Sequence, residues 1–326
     1  MTKPLTHVDN LSRGYLIALA SAAVLSTTAI FIRYLTTEYQ VPALVLAFWR
    51  DIFAILLLFP LLGLFRPTLL RLKAKEPVFL FFFGLVLAFF NALWTLSVSL
   101  NGAAVATVLA YSSTAFSVLL GWSLLKERLD WVKVLAVFFC LGGCVLVAGA
   151  LDPQSWLEDP LGILIGIFTG LGYAAYGLMG RKASQRGMNP WTALVYTFAF
   201  ASVFLLAINL VPGDCLPGQA SKPADFFWFE DDMGGWAILL LLAIGPTVAG
   251  FGLINVSLNL LPASITNLVL TTEPVFTVVI AYFLLDERLT AVQIIGSLLI
   301  LAGVSSLRLY EGRKASLVEA RAAVQG

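Results

Sequence analysis

The chain is 326 residues long, with 60% hydrophobic and 12% charged residues, where a soluble domain has about 25% charged. Its 20 basic and 19 acidic side chains leave a net charge of +1, too little for a nucleic-acid-binding face. The single histidine, His7, and three cysteines exclude zinc-protease, Ser-His-Asp and haem chemistry and a paired disulfide framework, so no enzyme, metal or cofactor is expected.

About 20 apolar residues cross a bilayer core, and a window of that length divides the chain into ten spans. A polar tail, 1–13, precedes the first span, 14–35. Ala20-Ser21-Ala22 within it resembles a leader-peptidase site, but the apolar run before it falls short of the roughly 7–15 residues of a leader core. A retained helix is expected, with Ser26, Thr27 and Thr28 at its middle. The second span, 42–64, carries Trp49, Arg50 and Asp51. The third, 77–100, holds Asn91 and Trp94, and the fourth, 103–125, holds Tyr111. The fifth, 131–150, contains Cys140 and Cys144, which read as small packing residues rather than ligands. It completes the first half, 14–150. The second half, 160–310, begins with span 160–181, where Gly162, Gly166 and Gly170 repeat at a spacing that serves close helix packing, and Tyr173 and Tyr176 follow. Spans 190–211, 236–258, 263–285 and 290–309 come next, and a tail, 311–326, follows them. Pro42, Pro77, Pro160 and Pro190 each stand in a first helical turn, where the missing N–H costs little.

With the N-terminus in the cytoplasm, sixteen of the 20 Lys and Arg fall inside and three, Arg33, Lys222 and Arg288, outside, while Arg50 lies within a span. Positive charge collects on the cytoplasmic side. Both termini are therefore expected inside, and the acidic 212–235 loop outside.

Leu124-Leu125-Lys126-Glu127-Arg128-Leu129 returns 160 residues on as Leu284-Leu285-Asp286-Glu287-Arg288-Leu289. Near the start of each half an offset of 148 pairs Gly14 with Gly162 and Arg33 with Arg181. Five spans per copy is an odd number, so the second copy is inserted upside down. The expected fold is an all-α integral membrane protein of ten transmembrane helices, in two inverted-topology five-helix repeats around a central cavity. Two such halves, rocking about an axis in the membrane plane, open a central site to each side in turn. The two Glu-Arg pairs of the repeat are expected to stabilise tight hairpins at the faces.

Phe48-Trp49-Arg50, the stretch from Ala103 to Leu129, Tyr173-Ala174-Ala175-Tyr176, Gly245-Pro246-Thr247 with Asn255, and the stretch from Leu261 to Thr290 together carry a resemblance. They are similar to the EamA-type ten-helix carriers of the drug/metabolite transporter superfamily, over nearly the whole chain from Gly14 to Tyr310. The resemblance implies a carrier and says little about its substrate. Ser113-Thr114 departs from the pattern: many relatives have a proline after a polar residue there, at the position matching Pro274. The kink expected by symmetry in the fourth span is then weak or missing.

Glu273, preceded by Thr272, lies near the middle of its span, where a charge costs at least about 2.5–3.5 kcal/mol to insert and must pair, protonate or face water. Pro274 has no N–H to donate, which frees the carbonyl of Leu270 and favours a kink. Two readings stand for Glu273: a coupling or substrate-ammonium site, or a structural residue, either a protonated glutamic acid filling the kink or a fixed ion-pair partner. Arg50 lies at a similar depth. It pairs with Glu273 if their helices are neighbours, holds a substrate carboxylate, or snorkels to the interface. Trp49, Asn91, Trp94, Tyr111, Tyr173, Tyr176 and Tyr196 recur in the middle or outer half of their spans. They line a cavity for a small amphipathic metabolite, or they are packing. Trp131, Trp156, Trp191 and Trp236 fit an interfacial belt.

The expected function is a secondary active transporter, an exporter, of a small metabolite such as an amino acid. It would work across the plasma membrane, a bacterial inner membrane, by alternating access with proton coupling or exchange. Its partners are the small-molecule substrate, protons and the lipid bilayer, and it acts as a monomer or homodimer. The alternatives are an uncoupled facilitator of the same fold and a non-transporting receptor or scaffold.

Overall fold

The fold comes from a computed structural model, which describes residues 7–73, 75–125, 130–148, 151, 159–211, 216–229, 232–258, 260–261, 266 and 269–325. The described residues form helices and short connections. The first half comprises α1 (His7–Thr37), α2 (Ala43–Phe65), α3 (Glu76–Asn101), α4 (Ala103–Ala110), α5 (Ser113–Leu125) and α6 (Trp131–Val147). The second comprises α7 (Pro160–Gln185), α8 (Pro190–Asn209), α9 (Met233–Leu242), a π-helical segment (Ala243–Gly250), α10 (Phe251–Leu258), α11 (Glu273–Leu284) and α12 (Ala291–Gln325). Eight stretches are long and apolar enough to cross a membrane: 12–37, 43–65, 76–101, 103–123, 160–185, 190–209, 233–254 and 291–310. Two shorter apolar helices, Trp131–Val147 and Glu273–Leu284, stand beside them. The protein is thus a multi-pass membrane protein. Helices suit this setting because each satisfies its own backbone polar groups where no water is available.

The connections gather at two ends. At one, Asn209 of α8 donates to the Leu44 carbonyl of α2 (3.1 Å), Asn101 at the end of α3 donates to Gly162 O of α7 (3.0 Å), and Trp228 donates to Tyr39 O (2.7 Å). This end also holds the 285–290 turn, so it is called the 210–235 end. At the opposite end Thr192 and Tyr196 donate to Leu69 O and Leu70 O (2.7 and 2.6 Å), and Tyr310 donates to Asp130 (2.8 Å).

Glycines set the closest crossings. A Cβ at Gly170 would lie 2.1 Å from Ser112 Oγ, and one at Gly166 would lie 2.5 Å from Leu109 Cδ1, so α7 can sit against α4 and α5 only without side chains there. Gly143 and Gly296 do the same for α6 and α12: a Cβ on either would come within 2.7 Å of the other's carbonyl oxygen. Cys140 and Cys144 are buried in that seam, with Cys140 Sγ directed at Ile300 O (3.8 Å). Apolar side chains such as Phe138, Phe283 and Leu298 remain exposed on the perimeter, as lipid-facing residues must.

Three helices break in mid-span, and each break has a chemical cause. Pro246 cannot donate to Leu242 O, and the backbone widens to a π-helix in which Thr247 Oγ1 takes that carbonyl (3.1 Å). Pro274 stands beside the turn at Thr271-Thr272 that begins α11. The fourth span also breaks, at Tyr111-Ser112, although it has no proline. Tyr111 N and Ser112 N turn to carbonyls three residues back, Val108 O (3.1 Å) and Leu109 O (3.0 Å), which tightens the helix there. The expectation of a weak or missing kink in this span is therefore wrong. Tyr111 and Ser112 stand 160 residues before Thr271 and Thr272, so the breaks fall at matching positions.

Candidate membrane cavity

A cavity of about 310 Å³ lies between the two halves. Thr28 of α1, Arg50 of α2, Asn91 and Trp94 of α3, and Thr107 and Tyr111 of the fourth span contribute to it. Tyr173 and Tyr176 of α7, Pro246 and Thr247 of the π segment, and Glu273 of α11 face it from the second half. It thus collects all three backbone breaks around one space. Val304 and Arg308 of α12 line it toward the end opposite 210–235.

Of the residues singled out in the sequence, Glu273, Arg50, Asn91, Trp94, Tyr111, Tyr173 and Tyr176 meet here. Three others, Trp49, Thr272 and Tyr196, point elsewhere. Trp49 donates its indole N–H to Phe226 O (2.6 Å) and packs on Phe53 and Trp236, in an aromatic cluster at the 210–235 end. Thr272 turns its hydroxyl back to Val269 O (2.7 Å), and its neighbour Thr271 lines the cavity instead. Trp236 is not a lipid-belt residue either: it is held between Trp49 and Phe229, at 5.3 and 5.1 Å between ring centroids. Tyr196 is taken up by the Leu70 carbonyl, away from the cavity.

Arg50 and Glu273 do not pair with each other. The Arg50 guanidinium lies 3.5 Å from Asp51, whose two oxygens also accept from Asn91 Nδ2 at 3.0 and 2.8 Å. Asp51 is fully buried, and Arg50 is 4% exposed with its Nε without a hydrogen-bond partner. The two helices are kept apart: α2 packs on the π segment and α11 on α1, which itself packs on the π segment. Snorkelling is also excluded for so buried a side chain. Glu273 is held by Tyr111, whose hydroxyl lies 2.9 Å from Glu273 Oε2 and 2.8 Å from Leu270 O. The carbonyl that Pro274 leaves free is thus the one Tyr111 reaches across from the other half to meet.

The 210–235 end is closed over this cavity by an ionic cap as well as the aromatic cluster. Glu287 accepts from the backbone N–H groups of Ala103 and Ala104 (2.8 and 2.9 Å), and Arg33 stands 3.5 Å from the same carboxylate. Glu287 therefore joins one half to the α4 N-terminus of the other, beyond the hairpin role expected of it, while Arg288 makes an exposed pair with Asp286 (3.2 Å) and stands 5.8 Å from the Tyr282 ring centroid. Glu127 and Arg128 lie outside the described residues.

Sequence reasoning missed Arg308. It falls at the end of the last apolar stretch and reads as one more cytoplasmic positive charge. Its spacing from Val304, one helical turn away on the same face, was the signal that it turns inward.

A helical membrane protein whose broken helices surround a largely apolar cavity set with a few charged and hydroxyl groups has the architecture of a carrier. The profile of the EamA-like transporter family matches residues 12–149 and again 160–309, and the chain belongs to that family. An uncharacterized transporter of Archaeoglobus fulgidus is 27% identical over 87% of this chain and 92% of its own length. The threonine/homoserine exporter RhtA of Salmonella typhimurium is 27% identical over 74% of this chain and 75% of its own. A solved crystal structure aligns with a TM-score of 0.57 at 19% identity, over 91% of this chain and 98% of the other, and so shares its fold.

Proposed function

We propose that the protein is a proton-coupled exporter of a small metabolite, an amino acid or close relative, working by alternating access in the bacterial plasma membrane. The observation that carries the coupling is a count of hydrogens. The Tyr111 hydroxyl has one proton and two oxygen neighbours, of which Leu270 O can only accept. Both contacts are hydrogen bonds when Glu273 is a carboxylic acid that donates to Tyr111 while Tyr111 donates to Leu270. Loss of the Glu273 proton leaves the carbonyl and the carboxylate competing for a single donor. Protonation is thereby linked to the breaks in the fourth and ninth spans, one in each half.

Ten spans in two inverted halves remain the reading that accounts best for the packing. The family profile matches once per half. Contacts between halves come in exchangeable sets: α3 on α7 corresponds to α10 and the π segment on α1, and α5 on α7 corresponds to α11 on α1. The basic residues favour both termini inside, with the 210–235 end outside. The cavity then faces the cytoplasm beneath a closed outer end. An amino-acid substrate is supported by a cation and a carboxyl that face the same cavity and by the similarity to RhtA, a threonine/homoserine exporter.

The test is transport by the purified protein in proteoliposomes. Radiolabelled threonine, homoserine or another small amino acid should move against its gradient when a pH gradient is imposed. Failure of a broad panel of amino acids to cross under any gradient would remove the amino-acid reading.

A further inference from the structure

The charged groups lining the cavity among the described residues are Arg50, Glu273 and Arg308, and their hydrogen-bonding needs are met unequally. The acids have partners: Asp51, behind Arg50, takes Asn91 and Arg50, and Glu273 shares one hydrogen bond with Tyr111. The bases keep donors in reserve: the Arg308 Nε is buried without a hydrogen-bond partner, and the Arg50 Nε has only its long 3.5 Å contact with Asp51. Because an unpaired buried donor is costly, the cavity's unmet demand is for acceptors at two separate places.

Their order along the membrane follows from the helices. α2 and α12 begin, and α11 ends, at the 210–235 end. At 1.5 Å per residue, Arg50 lies about 10 Å, Glu273 about 16 Å and Arg308 about 25 Å from that end. The cavity is therefore a column of a cation, a carboxyl that becomes negative on losing its proton, and a second cation. An amino-acid zwitterion matches the upper pair, carboxylate to Arg50 and ammonium to Glu273, which leaves its side chain directed toward Arg308.

The geometry points to Arg308 as the residue that reads the substrate's side chain. It favours carboxylate, then hydroxyl or amide, over apolar side chains, and rejects cationic ones. This inference rests on the amino-acid reading above and adds a specificity to it. Arg308 is a long donor fork that suits a carboxylate or carbonyl and repels an ammonium.

Equilibrium binding of radiolabelled L-aspartate, L-threonine, L-leucine and L-lysine to the detergent-purified full chain tests it. The wild type should bind aspartate at least tenfold more tightly than lysine. Arg308→Gln should bring that ratio within about threefold while leaving threonine affinity nearly unchanged, Arg308→Lys should retain it, and Arg308→Glu should invert it. Size-exclusion profiles identify variants that fail to fold, for which Arg308→Lys set against the wild type supplies the charge-retaining comparison and Arg308→Met the neutral one. If the amino acids bind but the ratio is the same in Arg308→Gln or Arg308→Met as in wild type, the role of Arg308 is overturned and the amino-acid reading stands. If none binds the wild type, the amino-acid reading falls and takes the role of Arg308 with it.

Discussion

At the scale of single residues, the arrangement around Arg50 shows how a buried charge is held ready. Asp51 adjoins it in sequence, and a helix turns about 100° per residue, so the two side chains leave the helix in different directions. Asn91 of α3 fixes Asp51 with both amide contacts, and Arg50 keeps donors to spare. Removing Asp51 would strand a buried guanidinium. Asp51→Ala is expected to cost about 3–5 kcal/mol, seen as a large fall in the thermal midpoint of the purified protein, whereas Asp51→Asn should cost less. An unchanged midpoint in Asp51→Ala would show that Arg50 is not held by this pair. The sequence marked Arg50 and Glu273 as residues in need of partners, because charges in a span always are. It did not reveal the partners, since Asp51 and Tyr111 find their places only through helix packing. The depth of Trp49 suits lining and packing alike, because depth does not say which way a side chain faces.

At the scale of elements, the breaks in the helices matter more than their lengths. The prolines at 246 and 274 were visible in the sequence, and so was the carbonyl that Pro274 frees. The break at Tyr111-Ser112 was not, because no residue there forbids a helix. It arises where α7 comes close, with Gly170 against Ser112. That approach gives a prediction: Gly170→Val should destabilise by about 1–3 kcal/mol through overpacking. Gly142→Ala, where an added Cβ meets nothing within 4 Å, should be neutral or slightly stabilising. Thermal unfolding of both variants in one detergent checks the pair, and equal effects would contradict the packing. Most helices were legible from hydrophobic length alone, since lipid demands a continuous apolar run. Among the described residues α6 ends at Val147, and the turn at Thr271-Thr272 divides the ninth span.

At the scale of the molecule, closure and access are set at opposite ends. Glu287, Arg33 and the aromatic cluster seal the 210–235 end, while the cavity runs toward Arg308. The contact between Tyr111 and Glu273 spans the two halves at the breaks, which is where a rocking motion would be felt. The proposed driver of that motion is the Glu273 proton. The most direct measurement is proton movement during transport, followed with a pH dye trapped in proteoliposomes as an amino-acid substrate is added on one side. Wild type should carry protons opposite to the substrate, and Glu273→Gln should move none while still exchanging labelled for unlabelled substrate. Substrate-driven proton flux that persists undiminished in Glu273→Gln would contradict the account.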